Sequence, residues 1–310
     1  MIPLVLITGF LGSGKTTFLR HLSKRNDRKR LAFLVNDFAA IDVDAQTLSE
    51  LDGEMLSIPG GSIFCRCLAT TFVNALRKIA RLEVDGVVIE ASGMADPCAL
   101  ADLLRETGLD ELYTLSSVVA LADPGTLPKL LKTLPAVKAQ IKAADVLLLN
   151  KTDLFDDEAI RRTEDAVRGV REDIEIIRCV RGEADIQFFR GESHAMAFHS
   201  ALAGCRDASF LSATFRFRAQ RDIGTVVETL NRYAKILWRA KGFVPTPQGL
   251  MELQWVMRAD TPDCGAVDIA PAISPEARPA LVMIAKGTAQ EQLDALVEEL
   301  KSLTIRLVGK

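Results

Sequence analysis

Four residues near the start of the chain have the types and spacing of a phosphate-binding loop. Gly9, Gly14, Lys15 and Thr16 fit the pattern G-x-x-x-x-G-K-[ST]. They follow the apolar run 2–8, typical of a buried strand, and precede a stretch typical of a helix. Such a loop turns backbone N–H groups toward a phosphate and adds the positive end of a helix dipole. The pattern therefore predicts a nucleoside triphosphate site.

The residues of this loop have separate expected roles. Glycine at positions 12 and 14 permits the backbone angles that direct N–H groups inward. Lys15 would reach the β- and γ-phosphates, and the Thr16 hydroxyl would bind Mg²⁺. Thr17 would add a contact one phosphate further back. The predicted nucleotide contacts of the loop are Gly12, Ser13, Gly14, Lys15, Thr16 and Thr17.

An acidic segment after the second apolar run is a candidate for the magnesium shell. In phosphate-loop GTPases the segment after the first helix is a switch, where a side chain completes the shell only when the γ-phosphate is present. Asp37 is the predicted ligand, and Asp42 and Asp44 are further candidates. A solvated acidic turn is the alternative interpretation.

The segment Glu90-Ala-Ser-Gly93 has the acid-x-x-Gly spacing of a second switch and ends the apolar run 86–90. Glu90 would hold Mg²⁺ directly or through water. The Gly93 N–H would meet the γ-phosphate, where any side chain would obstruct the approach. A structural acid at a strand end is the alternative. The predicted catalytic residues are Lys15, Thr16, Glu90 and Gly93.

The tetrapeptide Asn150-Lys151-Thr152-Asp153 has the N-K-x-D pattern and follows a buried apolar run. The Asp153 carboxylate could accept from guanine N1–H and N2–H₂, whereas adenine would leave buried polar groups unpaired, a discrimination that can reach about 10⁴-fold. Asn150 would tie this loop to the phosphate loop, and the Lys151 stem would lie over the base. The order of motifs favours GTP over ATP. It disfavours a small-molecule kinase, because this tetrapeptide would have no role in an ATP site.

Cys65 and Cys67 lie just before an expected helix at 69–82. A position near a helix N-terminus lowers the pKa of a thiol, and thiolate is the form that binds a soft or borderline metal. Two thiolates do not complete a tetrahedral site, so other ligands would come from elsewhere, such as Asp37, a second subunit or a client. The alternatives are two small buried apolar side chains or a redox pair.

Composition and charge exclude several other classes of protein. The 310 residues are 48% hydrophobic and 25% charged, as is ordinary for a globular chain. The formal net charge of −3 gives no electrostatic reason to expect a nucleic-acid partner. The sequence has no apolar run close to the length of a membrane span, and its scattered cysteines suit a reducing cytoplasm. We therefore expect a cytoplasmic protein with no membrane partner.

Strands and helices alternate in the first part of the chain, and this α/β pattern predicts a phosphate-loop GTPase domain, residues 1–190, with a mostly parallel, helix-covered sheet. The expected strands are 2–8, 31–35, 86–90, 115–121, 146–150 and 174–177. An interdomain linker is expected at 191–207. Its His194 and His199 are interpreted as solvated loop residues, with a metal-carrying pair as the alternative.

Residues 208–310 have a different pattern, which predicts a smaller α+β C-terminal domain. Apolar and polar residues alternate over 211–218, typical of a strand with one wet face. Further strands are expected at residue 236, at 251–257 and at 280–284, with a helix after the first strand and another after the last. The Pro-rich stretch 262–279 is expected to be a loop. The domain has no catalytic constellation, and we expect it to recognise a partner or report the nucleotide state.

Three segments together resemble the CobW-type metallochaperone GTPases, relatives of HypB and UreG. They are the phosphate loop, Glu90-Ala-Ser-Gly-Met-Ala-Asp-Pro97 and Gln140-Ile-Lys-Ala-Ala-Asp-Val-Leu-Leu-Leu-Asn-Lys-Thr-Asp-Leu154. The resemblance covers the whole length, since 236–244 looks like the signature of the family's C-terminal domain and 36–38 is similar to its N-E-F. It implies a GTP-hydrolysing protein that delivers a transition metal, commonly zinc, cobalt or nickel, to a client enzyme or cofactor pathway.

One departure from the family's pattern concerns the metal. The family usually carries G-C-x-C-C, whereas this chain has Ser62 and Phe64 in place of the first two cysteines. Cys65 matches the third, and Cys67 is extra. The nucleotide motifs are not affected by this change.

The sequence therefore predicts a GTPase that uses GTP and Mg²⁺, and Zn or Co as cargo, to supply a client metalloenzyme or cofactor-pathway protein. No glutamine or arginine stands in a diagnostic position to orient water, so slow intrinsic turnover is expected. The alternative is a GTP-gated chaperone that loads or reactivates a corrinoid or metal-cofactor enzyme and carries no metal itself. The sequence does not fix the oligomeric state, and a homodimer is one candidate.

Overall fold

A computed structural model of the chain describes residues 1–25, 29–37, 54–59, 68–93, 95–184, 186, 193–197, 210–258, 261, 263–272 and 277–303. Two compact units account for these residues. The first contains the described residues up to 197, and the second contains those from 210 onward.

The first unit is built on a seven-stranded sheet in which all the described strand pairs are parallel. Its strands are β1 (Ile2–Thr8), β2 (Leu31–Asp37), β3 (Glu54–Pro59), β4 (Gly86–Glu90), β5 (Tyr113–Ala122), β6 (Val146–Leu149) and β7 (Glu175–Arg178). They lie in the order β3-β2-β4-β1-β5-β6-β7. The central strands are almost wholly buried, which explains their unbroken apolar sequences. The predicted α/β fold class is confirmed.

Helices connect most of these strands. They are α1 (Lys15–Arg25), α2 (Ala69–Ile79), α3 (Cys98–Glu106), α4 (Leu127–Thr133), α5 (Pro135–Ala143) and α6 (Asp157–Arg168). α2 shows why these segments are helical, since Phe72, Val73, Leu76 and Ile79 recur at helical spacing and are all buried. This helix ends at residue 79 rather than at 82 as expected.

The order of strands gathers the loops that could carry chemistry. The strand order reverses at β1, which pairs with β4 on one side and β5 on the other. In parallel sheets, ligands bind outside the carboxyl ends of the strands at such a reversal. The loop after every strand of this sheet leaves from that same edge, so the predicted phosphate, switch and base loops share one edge.

The second unit is a five-stranded antiparallel sheet with two helices. Its strands are β8 (Phe210–Arg216), β9 (Leu237–Thr246), β10 (Gly249–Met257), β11 (Gly265–Pro271) and β12 (Ala280–Lys286), in the order β11-β10-β9-β12-β8. Its helices are α7 (Ile223–Arg232) and α8 (Gln290–Ser302). Both helices pack their apolar sides on a core that includes Trp255, Leu253 and Met283. This confirms the smaller α+β unit.

Two strands depart from the sequence-based expectations. β3 was not expected, and β11 lies within the stretch 262–279 that was expected to be a loop. β11 is an edge strand with six of its seven residues exposed, so it lacks the apolar alternation of a half-buried strand. Its final residue, Pro271, is tolerated because one side of an edge strand faces solvent. On that side the missing N–H of a proline removes no hydrogen bond between strands.

Part of the expected linker lies in a described segment. His194–Ala197 is a 3₁₀ helix, and the Ser193 N–H donates to Leu115 O of β5 at 2.8 Å. The rest of 191–207, including His199, lies outside the described residues, so the domain boundaries stay predictions. No helix among the described residues is long and apolar enough to cross a membrane.

Candidate functional site

The phosphate loop occupies the turn between β1 and α1. Gly9, Gly12 and Gly14 have φ values of 132°, 78° and 106°, a region of backbone space that favours glycine. The Phe18 N–H donates to Gly14 O at 2.9 Å as α1 begins. The sequence therefore folds here into the glycine-dependent turn that the motif predicts.

Close contacts give two of these glycines a second reason to lack a side chain. A Cβ atom on Gly9 would lie 2.2 Å from Leu121 O, in β5. One on Gly14 would lie 2.2 Å from Asn150 Nδ2. The loop thus packs directly against the neighbouring strand and against the N-K-x-D segment.

Lys15 directs its ammonium group over its own loop. Its Nζ donates to Gly9 O at 2.8 Å and to Phe10 O at 3.3 Å, and the residue is only 6% exposed. The Ser13 hydroxyl is also buried, with no hydrogen-bond partner among the described residues. A buried cation and a buried hydroxyl without a partner among the described residues, in a glycine-dependent turn at a helix N-terminus, are chemically suited to a phosphate.

Asn150 joins the phosphate loop to the loop after β6. Its Nδ2 donates to Ser13 O at 2.9 Å, which is the connection expected from the sequence. Its Oδ1 accepts from the Gly182 N–H at 2.9 Å. The residue is 2% exposed, so these bonds form in a dry environment and fix three loops together.

The remaining residues of the tetrapeptide follow Asn150 in a tight turn. Lys151 has a φ of 61°, and its Nζ lies 3.9 Å from the buried Asp123 Oδ2. Asp153 is exposed in the short 3₁₀ helix Thr152–Leu154. The Thr152 hydroxyl donates to Cys179 O at 3.1 Å. Lys151 and Thr152 therefore both contact neighbouring loops, while the Asp153 side chain stays exposed.

Two features of this region were missed from the sequence. Asp123 accepts from the Gly125 and Thr126 N–H groups and thereby fixes the carboxylate that faces Lys151. The loop after β7 brings Gly182, with a φ of 73°, against the start of α1, where a Cβ would lie 3.0 Å from Phe18 Cα. A glycine shortly after the last parallel strand was the only sequence signal for this loop.

Glu90 and Gly93 lie in the loop after β4. Glu90 is paired in register with Ile7 of β1 and Val35 of β2 and is 3% exposed. A Cβ on Gly93 would lie 2.8 Å from the backbone N of Leu11, so the loop packs on the phosphate loop. The second-switch segment and the phosphate loop are thus neighbours.

Asn36 connects three strand ends on the other side of β1. Its Nδ2 donates to Ile58 O at 2.9 Å, and its Oδ1 accepts from the Ser92 N–H at 3.3 Å. The end of β2 is thereby linked to β3 and to the loop that carries Gly93. The sequence resemblance pointed to Asn36 as part of a motif but assigned it no role.

The donor set at this edge fits Mg²⁺. Thr16 provides a hydroxyl in the first turn of α1, and Glu90 provides a carboxylate at the end of a neighbouring strand. Oxygen donors of this kind are those that Mg²⁺ prefers. Asp37 ends β2, but its side chain lies outside the described part of the structure, as do Asp42 and Asp44.

The predicted transition-metal ligands are two cysteines shortly before α2. Cys65 and Cys67 lie outside the described residues, and those that are described hold no group of three or more His, Cys, Asp or Glu side chains placed for a metal. Burial raises the pKa of Cys98 to about 12, with a further contribution from Asp96, and raises that of Cys179 to about 11. These two thiols are therefore neutral at physiological pH.

Comparison with known proteins identifies the family. Residues 3–178 match the family model described as CobW/HypB/UreG, nucleotide-binding domain. The chain belongs to the CobW/HypB/UreG family. The matched range contains the phosphate loop, the acid-x-x-Gly segment and the N-K-x-D segment, and it confirms the resemblance drawn from the sequence.

Relatives of this CobW/HypB/UreG chain include two curated proteins. The zinc chaperone CobW of Pseudomonas aeruginosa is 26% identical over 231 residues, which are 64% of this chain and 62% of that protein. Zinc-regulated GTPase metalloprotein activator 1 of Schizosaccharomyces pombe is 31% identical over 193 residues, 59% of this chain and 47% of that protein. The chain spans about half to three-fifths of the length of these relatives.

A solved structure, Zn(II)-bound YjiA GTPase from Escherichia coli, is also similar. It is 22% identical, covers 96% of this chain and 98% of its own, and superposes with a TM-score of 0.47. The fold assignment of this family member rests on the strand order described above.

Proposed function

We propose that this protein binds and hydrolyses GTP and couples its nucleotide state to delivery of a transition metal, of the zinc or cobalt class, to a client protein. The Asn150 bridge carries the nucleotide part of the proposal. By bonding to Ser13 O, it brings the N-K-x-D segment against the phosphate loop, so one nucleotide can engage both.

In this proposal each end of the nucleotide has its own residues. Lys15 and the loop N–H groups bind the phosphates, Gly93 N–H meets the γ-phosphate, and Thr16 and Glu90 hold Mg²⁺. Mg²⁺, when bound, neutralises charge on the β- and γ-phosphates. Asp153 accepts from the guanine edge, which its exposed position in the turn allows.

Replacement of Asp153 tests the base assignment. Asp153→Asn offers one acceptor and one donor, which match the C2 carbonyl and N1–H of xanthine instead of the two donors of guanine. We expect kcat/KM for GTP to fall by about 10²-fold or more and that for XTP to rise. Asp157→Asn, an exposed carboxylate at the start of α6, is the matched control. Wild-type turnover of ATP as fast as GTP would refute the assignment.

The metal part of the proposal is supported by the similarity to the zinc chaperone CobW of Pseudomonas aeruginosa and by the pair Cys65 and Cys67. A Cys65→Ser, Cys67→Ser double variant should lose zinc measured by elemental analysis and lose metal-dependent changes in GTP turnover. Cys264→Ser, at a half-buried position of the second unit, is the control. Equal metal content with and without Cys65 and Cys67 would contradict the metallochaperone assignment.

A second candidate is favoured by the departure from G-C-x-C-C. With Ser62 and Phe64 at two cysteine positions, the segment offers fewer thiolates than the family's pattern. The protein would then be a GTP-gated chaperone for a corrinoid or metal-cofactor enzyme, with no metal of its own. GTP turnover that responds to a client enzyme but not to zinc or cobalt would support this candidate.

A further inference from the structure

The loop that follows β4 is held by a side chain from a distant helix. Gln140 of α5 is 1% exposed, and its Nε2 donates to Gly93 O at 3.2 Å and to Ala95 O at 3.3 Å. An amide nitrogen carries two hydrogens, so both donors of Gln140 are directed at this one loop. Sequence motifs assign no role to this residue.

Other bonds hold the same loop around the Gly93 N–H. The Ser92 N–H donates to Asn36 Oδ1, and Ser92 O accepts from the Ala95 N–H at 3.0 Å. The peptide group that carries the Gly93 N–H therefore lies between fixed atoms on both sides. Gln140 supplies the hold on the C-terminal side, through Gly93 O.

We propose that Gln140 is a positioning residue for GTP hydrolysis: its amide fixes the Gly93 carbonyl and thereby aims the Gly93 N–H at the γ-phosphate. This inference rests on the proposed GTPase function. Gln140 acts through the loop, and its bonds go to backbone oxygens that do not themselves react.

The proposal separates two nucleotides. GDP has no γ-phosphate and makes no contact with Gly93 N–H, so its affinity should depend little on Gln140. Hydrolysis of GTP requires stabilisation of charge on the transferred phosphoryl group, where a misaligned donor is least effective. Loss of Gln140 should therefore lower kcat with little effect on GDP binding.

The first test is Gln140→Met, which keeps the chain length and removes both donors. We expect kcat for GTP to fall about tenfold or more, while KM and the Kd for GDP change by less than about threefold. Lys138→Met, on the exposed side of the same helix, should retain wild-type kcat. A kcat within twofold of wild type, or a parallel loss of GDP affinity, would overturn the proposal.

The second test, Gln140→Glu, adds a dependence of kcat on pH that a purely space-filling role of Gln140 would not produce. An ionised carboxylate has no hydrogen for the two carbonyls, whereas a protonated one can donate to one of them. The ratio of variant to wild-type kcat should therefore rise as pH falls from 8 to 6. A ratio independent of pH would contradict the proposal, even if Gln140→Met fails to fold.

Different results would refute the proposed function and the proposed role of Gln140. If wild-type protein does not turn over GTP, the proposed function is wrong. If wild type turns over GTP and both Gln140 variants match it, only the role of Gln140 is wrong.

Discussion

At the scale of single residues, buried amides at the carboxyl edge of the first sheet connect segments that are far apart in sequence. Asn150, Asn36 and Gln140 each bond to backbone atoms of another loop. Because a buried polar group is costly when it lacks a partner, each of these bonds favours a single arrangement of the loops.

Removal of the Asn150 amide should affect all guanine nucleotides alike. Asn150→Ala leaves Ser13 O and the Gly182 N–H without this partner, so we expect a loss of about 1–3 kcal/mol in stability and about tenfold weaker binding of both GDP and a GTP analogue. Calorimetric titration and thermal unfolding measure the two effects.

Asn231→Ala is the matched control for this prediction. Asn231 likewise bonds to two distant groups, its Oδ1 accepting from Trp255 Nε1 and from the Gly265 N–H, but it lies in the second unit. It should lower stability and leave nucleotide affinity close to wild type. Equal affinities for Asn150→Ala and wild type would show that the bridge does not shape the site.

The two buried thiols predict a dependence on pH. With the pKa of Cys98 raised to about 12 and that of Cys179 to about 11, the thiolate fraction at pH 8 is about one in a thousand or less. Iodoacetamide should therefore modify both more slowly than Cys264, and faster as pH rises. Peptide mass spectrometry measures the rates, and equal rates at the three cysteines at pH 8 would contradict the shifts.

Much of the site could be predicted from the sequence because its residues follow strands that are recognisable. Glu90 and Asn150 come directly after apolar runs, and Gly14 and Lys15 follow the run 2–8 within the G-x-x-x-x-G-K-[ST] pattern. Gln140 and Asp123 could not be assigned roles, because what they do depends on which loop packs against them in three dimensions. That information is absent from local spacing.

At the scale of elements, the central strands were predictable, as were the edge strands β7 and β8, whereas the edge strands β3 and β11 were not. β1 and β4 are buried on both faces, so their unbroken apolar runs identify them. β3 and β11 lie at the edges of their sheets. An edge strand needs fewer apolar residues and accepts proline at its end, as at Pro59 and Pro271, so its sequence is close to that of a loop.

The second sheet should be sensitive to one methyl group between β9 and β12. A Cβ on Gly242 would lie 2.0 Å from Ala280 O and 2.8 Å from Leu281 Cα. Gly242→Ala should therefore lower the free energy of unfolding by about 3 kcal/mol. Both tryptophans of the chain, Trp238 and Trp255, lie in this sheet, so their fluorescence in urea reports its unfolding.

Gly224→Ala makes the same chemical change in the first turn of α7, at an exposed position. It should alter stability by less than about 1 kcal/mol, since alanine favours a helix. A loss at Gly242 no larger than at Gly224 would mean that the two strands do not approach as closely as described.

At the scale of the whole molecule, the first unit gathers loops from its entire length at one edge of a sheet. If one nucleotide engages them, saturation with GDP and Mg²⁺ should slow amide hydrogen exchange in several separate peptides at once. The expected peptides cover 9–16, 150–153 and 179–182. Peptides from β11 serve as the reference. Protection limited to 9–16 would contradict a shared site.

The position of β1 has a consequence for how the chain is made. β1 is followed by about eighty residues before its neighbour β4 and about a hundred before β5, so the backbone N–H and C=O groups along its two edges lack their partner strands during that part of translation. A nascent chain that has reached β3 cannot yet close the sheet around it. Protection of the nascent chain from aggregation is therefore most needed before residue 122 has emerged from the ribosome.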